Sequence, residues 1–160
     1  MTLPYRIMLF LAGTASVGWL FWTGYNISIQ TERGPLIAAI WHHVGFGVIL
    51  TPFLLAYLWV RLSHVLSTQN EWISKLSFGF LSACILFLII SGPIVVWTYG
   101  ADLKVFDWFV FPNPIGKSPV THDLLESTHI VVANMTPYVL ILDVILLLQK
   151  RAFSRLPRRR

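Results

Sequence analysis

Three scarcities in the sequence each remove a class of protein. Cysteine occurs once, at Cys84, which excludes an internal disulfide, CxxC redox chemistry, a cysteine-held iron–sulfur cluster and the CxxCH attachment of covalent haem. Charge is sparse: only 12% of the 160 residues are Asp, Glu, Lys or Arg, against 56% hydrophobic. That balance is too apolar for an ordinary soluble domain and fits one compact membrane bundle. Acidic residues number 7 against 12 basic ones, yet the excess is local, because Lys150, Arg151, Arg155, Arg158, Arg159 and Arg160 crowd the C-terminus. A basic tail against anionic lipid headgroups is implied, and a nucleic-acid partner is not. No internal repeat or low-complexity segment is evident.

What the chain does contain is long apolar runs, from Ile7 to Tyr25, Leu36 to Val60, Leu76 to Trp97, and Ile130 to Leu148 after a polar start at Thr121-His122-Asp123. Each approaches or exceeds the roughly 20 residues that cross hydrocarbon. The expectation is an all-α transmembrane four-helix bundle in one membrane domain, 1–160, with helices near 7–25, 36–60, 76–98 and 122–149 and a basic cytoplasmic tail at 150–160. The first run also sits where a signal peptide would, but its length and the poor cleavage site Gly13-Thr14-Ala15-Ser16 favour a retained helix. Pro52, Pro93 and Pro137 fall inside spans, where kinks are expected. The long connection Tyr99 to Val120, rich in Pro and aromatics, suits an interfacial segment with a short amphipathic turn. Arg61, Lys75 and the basic tail mark one side and Asp102, Asp107, Asp123 and Glu126 the other, which puts both termini in the cytoplasm.

The chemistry-bearing residues are histidines. His42 and His43 lie in tandem within the second run, and ionisable groups in hydrocarbon are functional candidates by default. His43 is 18 residues before Arg61, and His129 is 21 before Lys150; the difference of three residues is about 4.5 Å of helix rise. Imidazoles at similar depth on two helices of a bundle can reach opposite faces of one haem iron near the non-cytoplasmic face. Gly47 shares the face of His43, and with Gly45 leaves room for a flat macrocycle or a close helix. The plainer reading is that the histidines hydrogen-bond across helices and the glycines pack. His122, seven residues before His129, suits proton exchange at a quinone, contact with a haem propionate, or simple capping. His64 is about 32 Å from His43 by helix rise and cannot serve the same metal. Asp143 reads as a proton-relay acid or as a structural or vestigial residue.

Over most of its length the chain resembles the bacterial cytochrome b561 family, four-helix haem-b proteins related to the cytochrome b subunits of hydrogenases and formate dehydrogenases. The likeness rests on His43-Val44-Gly45-Phe46-Gly47, similar to the family's H-x-x-x-G, on Arg61-Leu62 closing that helix, on His129 to Asn134, similar to H-x-x-x-A-N, and on the Pro- and aromatic-rich connection between them. The chain departs from the two-haem pattern in lacking a first-helix histidine and in carrying Asp143 where a second histidine, 14 residues after His129, would stand. Both missing ligands belong to one haem, so the resemblance implies a single haem b held by His43 and His129, with His42 open as the alternative ligand.

These readings lead to a membrane electron-transfer subunit, not a stand-alone enzyme, that exchanges electrons with quinone or quinol or with a partner redox protein, in the bacterial inner membrane and in company with other subunits of a redox complex. The alternative is a non-catalytic accessory subunit of a larger respiratory or photosynthetic complex.

Overall fold

The computed structural model describes residues 3–66 and 72–153. The expected tail from 154 onward and the side chains of His64, Lys150 and Arg151 lie outside the described residues. Four helices dominate: α1 (Leu3–Ile29), α2 (Arg33–Leu66), α3 (Trp72–Tyr99) and α4 (Pro119–Phe153). Each is long and apolar enough to cross a membrane, so the chain is a membrane protein with an all-α transmembrane four-helix bundle. The helices overrun the apolar runs at both ends. At about 1.5 Å per residue, the 34 residues of α2 and the 35 of α4 outreach a hydrocarbon core of about 30 Å, and their polar ends emerge from it.

Apolar surface on every side suits helices solvated by lipid, where no backbone group can be left unpaired. Hydroxyls inside the spans are handled the same way. Thr14, Ser16, Ser82 and Thr136 each donate to the carbonyl four residues earlier, at 2.7–2.9 Å, which satisfies them within their own helix. The helices run continuously through Pro52, Pro93 and Pro137. At the start of α4, Ser118 caps and Pro119 takes the first helical position, where its missing N–H costs nothing; the carbonyl of Ser118 receives the His122 amide at 2.9 Å.

The bundle is built from two helix pairs, α1 along α2 and α3 along α4, closed by thinner contacts between α2 and α3 and between α1 and α4. Its apolar core lies in one half, where Val17, Leu54, Tyr57, Leu58, Val65, Phe78, Leu81, Ile85 and Leu140 cluster. Tyr57 is fully buried and lies against Gly13 so closely that any Cβ there would overlap its side chain.

That same half holds a buried ion pair. Arg61 donates to both carboxylate oxygens of Asp143, from Nε at 2.9 Å and from Nη2 at 2.7 Å, with side-chain exposures of 3% and 0%. Arg61 is therefore an interior residue, and its expected role as a charge flanking the second connection is corrected. Asp143 is structural, its carboxylate neutralised by the guanidinium.

The connection between α3 and α4 differs from the amphipathic turn expected. It is an antiparallel hairpin, β1 (Leu103–Val105) with β2 (Phe109–Phe111), paired Leu103 to Phe111 and Val105 to Phe109. Leu103 and Val105 are buried, whereas β2 is exposed along its length. Phe106 occupies the turn at φ 50°, a conformation costly for a bulky residue, and stacks edge-on against Phe46 with ring centres 5.3 Å apart. Asn113 ties the chain back: its Nδ2 donates to the Trp97 carbonyl at 2.7 Å, and its Oδ1 accepts from the amides of Ile115 and Gly116.

Candidate functional site

The half of the bundle nearest the hairpin is organised by polar contacts. His43 on α2 and His129 on α4 face one another there, with ring centres 6.4 Å apart and ring planes at 88°. Each ring is gripped at Nδ1 by a hydroxyl from the neighbouring helix of its pair. Thr23 Oγ1 of α1 lies 2.9 Å from His43, and Ser91 Oγ of α3 lies 2.7 Å from His129. All four helices thus contribute, and among the described residues neither ring makes a hydrogen bond through Nε2.

Two imidazoles on one metal fit this spacing. Metal–nitrogen bonds of about 2.0–2.1 Å on either side of one ion would bring two rings to about this separation. Anchoring of the second nitrogen is what metal-ligating histidines ordinarily require, because it fixes ring plane and tautomer. Both rings are half-buried, so neither is sealed inside packed protein. Around them the chain is pared back: a Cβ at Gly24 would meet His43 Cε1 at 3.4 Å, one at Gly92 would meet His129 Cε1 at 3.6 Å, and one at Gly47 would meet nothing within 4 Å. Trp97 Nε1, six residues beyond Ser91 on α3, is buried without a hydrogen-bond partner among the described residues and offers a donor in the same half. The donor set therefore suits a metal held between the two rings, as a haem iron would be.

The remaining histidines are placed otherwise. His42 is exposed, lies 6.2 Å from the Phe106 ring and lines a cleft of about 350 Å³ between α1 and α2, with Trp19, Trp22, Asn26 and Gln30. It is turned away from His129, so the tandem contributes His43 to the pair. His122 is bound to α3: its Nδ1 donates to the Val95 carbonyl at 3.1 Å, its Nε2 is 3.7 Å from Glu126, and its ring stacks near Tyr99 at 5.4 Å. These contacts clamp the start of α4. Gly45 serves the hairpin, since a Cβ there would press on the Phe106 ring at 3.0 Å; the close neighbour is an aromatic side chain and not a helix.

In the opposite half, Tyr57 packs against Gly13 and the Arg61–Asp143 pair is buried. Thr23 and Ser91 were not legible as site residues. Their signal is a shared dipeptide, a hydroxyl followed by glycine, in Thr23-Gly24 and Ser91-Gly92. Comparison with protein-family models, with curated proteins and with solved structures finds no match for the chain.

Proposed function

We propose that the chain is a membrane-bound b-type cytochrome of the bacterial inner membrane, holding one haem b between His43 and His129 and passing electrons between a membrane quinol and a partner redox protein or complex. The observation that carries this reading is the convergence of the two imidazoles at 6.4 Å with both Nδ1 atoms already engaged. A haem bound by His43 and His129 would supply one-electron transfer.

The protein's own groups do the rest. Thr23 and Ser91 fix the rings, Gly24, Gly47 and Gly92 keep bulk away from them, and the hairpin covers the mouth through Phe106. The lipid-facing cleft beside His42 is apolar and aromatic along its walls, with His42, Asn26 and Gln30 as hydrogen-bonding groups, a composition suited to a quinone head. Thr23 lines this cleft and also contacts His43, which links the cleft to one of the two rings. Asymmetry between the halves supports a single haem and redox traffic confined to one side. Basic residues at Lys75 and in the tail, against acidic ones at Asp102, Asp107 and Asp123, favour cytoplasmic termini and a non-cytoplasmic haem.

The test is the reduced-minus-oxidised spectrum of purified variants. His43→Ala and His129→Ala lose the b-type bands, while His42→Ala keeps them. Retention of full haem in both ligand variants would overturn the assignment.

A further inference from the structure

Although Thr23 and Ser91 grip the two imidazoles alike, their protons are not equally committed. Thr23 Oγ1 also lies 3.1 Å from the Leu20 carbonyl, which can only accept. A proton directed there leaves Thr23 a lone pair toward His43, and the Leu20 carbonyl also accepts from the His43 ring. His43 must then carry its proton on Nδ1, leaving Nε2 with its lone pair available. Ser91 Oγ has no second acceptor among the described residues beyond His129; it can donate to Nδ1 or accept from it. The glycines that follow the hydroxyls, Gly24 and Gly92, bring α1 and α3 close enough for Cβ positions 3.4 and 3.6 Å from the rings' Cε1 atoms.

We infer that Thr23 and Ser91 are positioning residues that set tautomer and plane of the two ligands, with His43 held ready by the Leu20–Thr23 chain and His129 set only when Ser91 turns to accept. This rests on the cytochrome reading for its consequence at the iron, but the tautomer of His43 stands independently of any metal. Once Nε2 is taken by a metal, the proton on each ring sits at Nδ1 and each hydroxyl accepts it. Such acceptance makes the imidazole a stronger electron donor and favours the oxidised iron. Loss of either hydroxyl therefore raises the midpoint potential.

Three measurements test this. In haem-free protein carrying nitrogen-labelled histidine, magnetic resonance finds His43 protonated at Nδ1, and Thr23→Val shifts it toward Nε2; a wild-type His43 already protonated at Nε2 would overturn the inference whether or not the protein binds haem. In haem-loaded protein, Thr23→Val and Ser91→Ala each raise the ferrous-to-ferric ratio at fixed potential several-fold, up to about tenfold, which is about 59 mV for one electron. Oxidised wild type gives the highly anisotropic low-spin resonance of near-perpendicular ligand planes, and the two variants move it toward a less anisotropic form. Thr23→Ser and Ser91→Thr restore both readings, which separates the hydroxyl's effect from a general packing defect. Haem-loaded variants with unchanged potential and resonance would overturn the inference and leave the cytochrome reading intact. Wild type that takes up no haem, yet shows Nδ1-protonated His43, would do the reverse.

Discussion

Removing one member of the Arg61–Asp143 pair while leaving the other in place should be among the most damaging single changes in the spans. The two residues meet through two parallel hydrogen bonds of 2.9 and 2.7 Å, both side chains are essentially inaccessible, and the guanidinium also lies 5.6 Å from the centre of the Phe78 ring. Stranding a buried charge of this kind costs about 3–5 kcal/mol, whereas replacing both partners with apolar residues of similar volume is often neutral or stabilising by about 1–4 kcal/mol. Asp143→Ala and Arg61→Ala should each fall in the first range, and Arg61→Met with Asp143→Leu in the second. Denaturation in mixed micelles, with intrinsic tryptophan fluorescence as the probe, measures all three. By helix rise the pair lies about 21–27 Å from the two histidines, so whatever fraction of a variant remains folded should give the same reduced-minus-oxidised spectrum as wild type. Single variants within about 0.5 kcal/mol of wild type, or an apolar double variant as unstable as the worse single one, would refute the reasoning.

Gly13→Ala drives a methyl into the Tyr57 side chain and should lower stability by about 1–3 kcal/mol, while Gly18→Ala, with nothing within 4 Å of its Cβ, should cost nothing in the same thermal melt. Gly45→Ala presses on Phe106 at 3.0 Å and should loosen the hairpin, seen as faster proteolysis between Val105 and Phe109 without loss of the bundle's helical circular dichroism. In a Cys84→Ser background, Asp107→Cys should react with a membrane-impermeant maleimide from the non-cytoplasmic side and Lys75→Cys from the cytoplasmic side; the opposite pattern reverses the orientation and moves the haem to the inner face.

The spans were legible because lipid demands a continuous apolar run of fixed minimum length, and Ile7–Tyr25 through Ile130–Leu148 supply four. Their ends were not, since α1 and α2 continue through polar residues such as Ser28 and Arg33, which hydropathy counts as loop. The hairpin escaped notice because its strands are three residues each and its turn places Phe106, not glycine or asparagine, at positive φ. Counting residues along helices of constant rise put His43 and His129 at one depth, which is where their rings meet. The same counting could not find the Arg61–Asp143 pair: the residues lie 82 apart in sequence, and Arg61 reads locally as a charge at a helix end. Thr23 and Ser91 stayed hidden because a hydroxyl in an apolar helix usually bonds its own backbone, as Thr14 and Ser16 do here.

The central claim is tested most directly by counting haem in the purified, full-length chain. Extraction of the porphyrin and its absorbance against protein mass should give one haem b per polypeptide, lost together with the reduced-minus-oxidised bands when His129 is replaced. A ratio of two would mean that the Tyr57 and Arg61–Asp143 half also opens to a cofactor, and a ratio of zero would leave the paired imidazoles as a helix-to-helix contact without a metal.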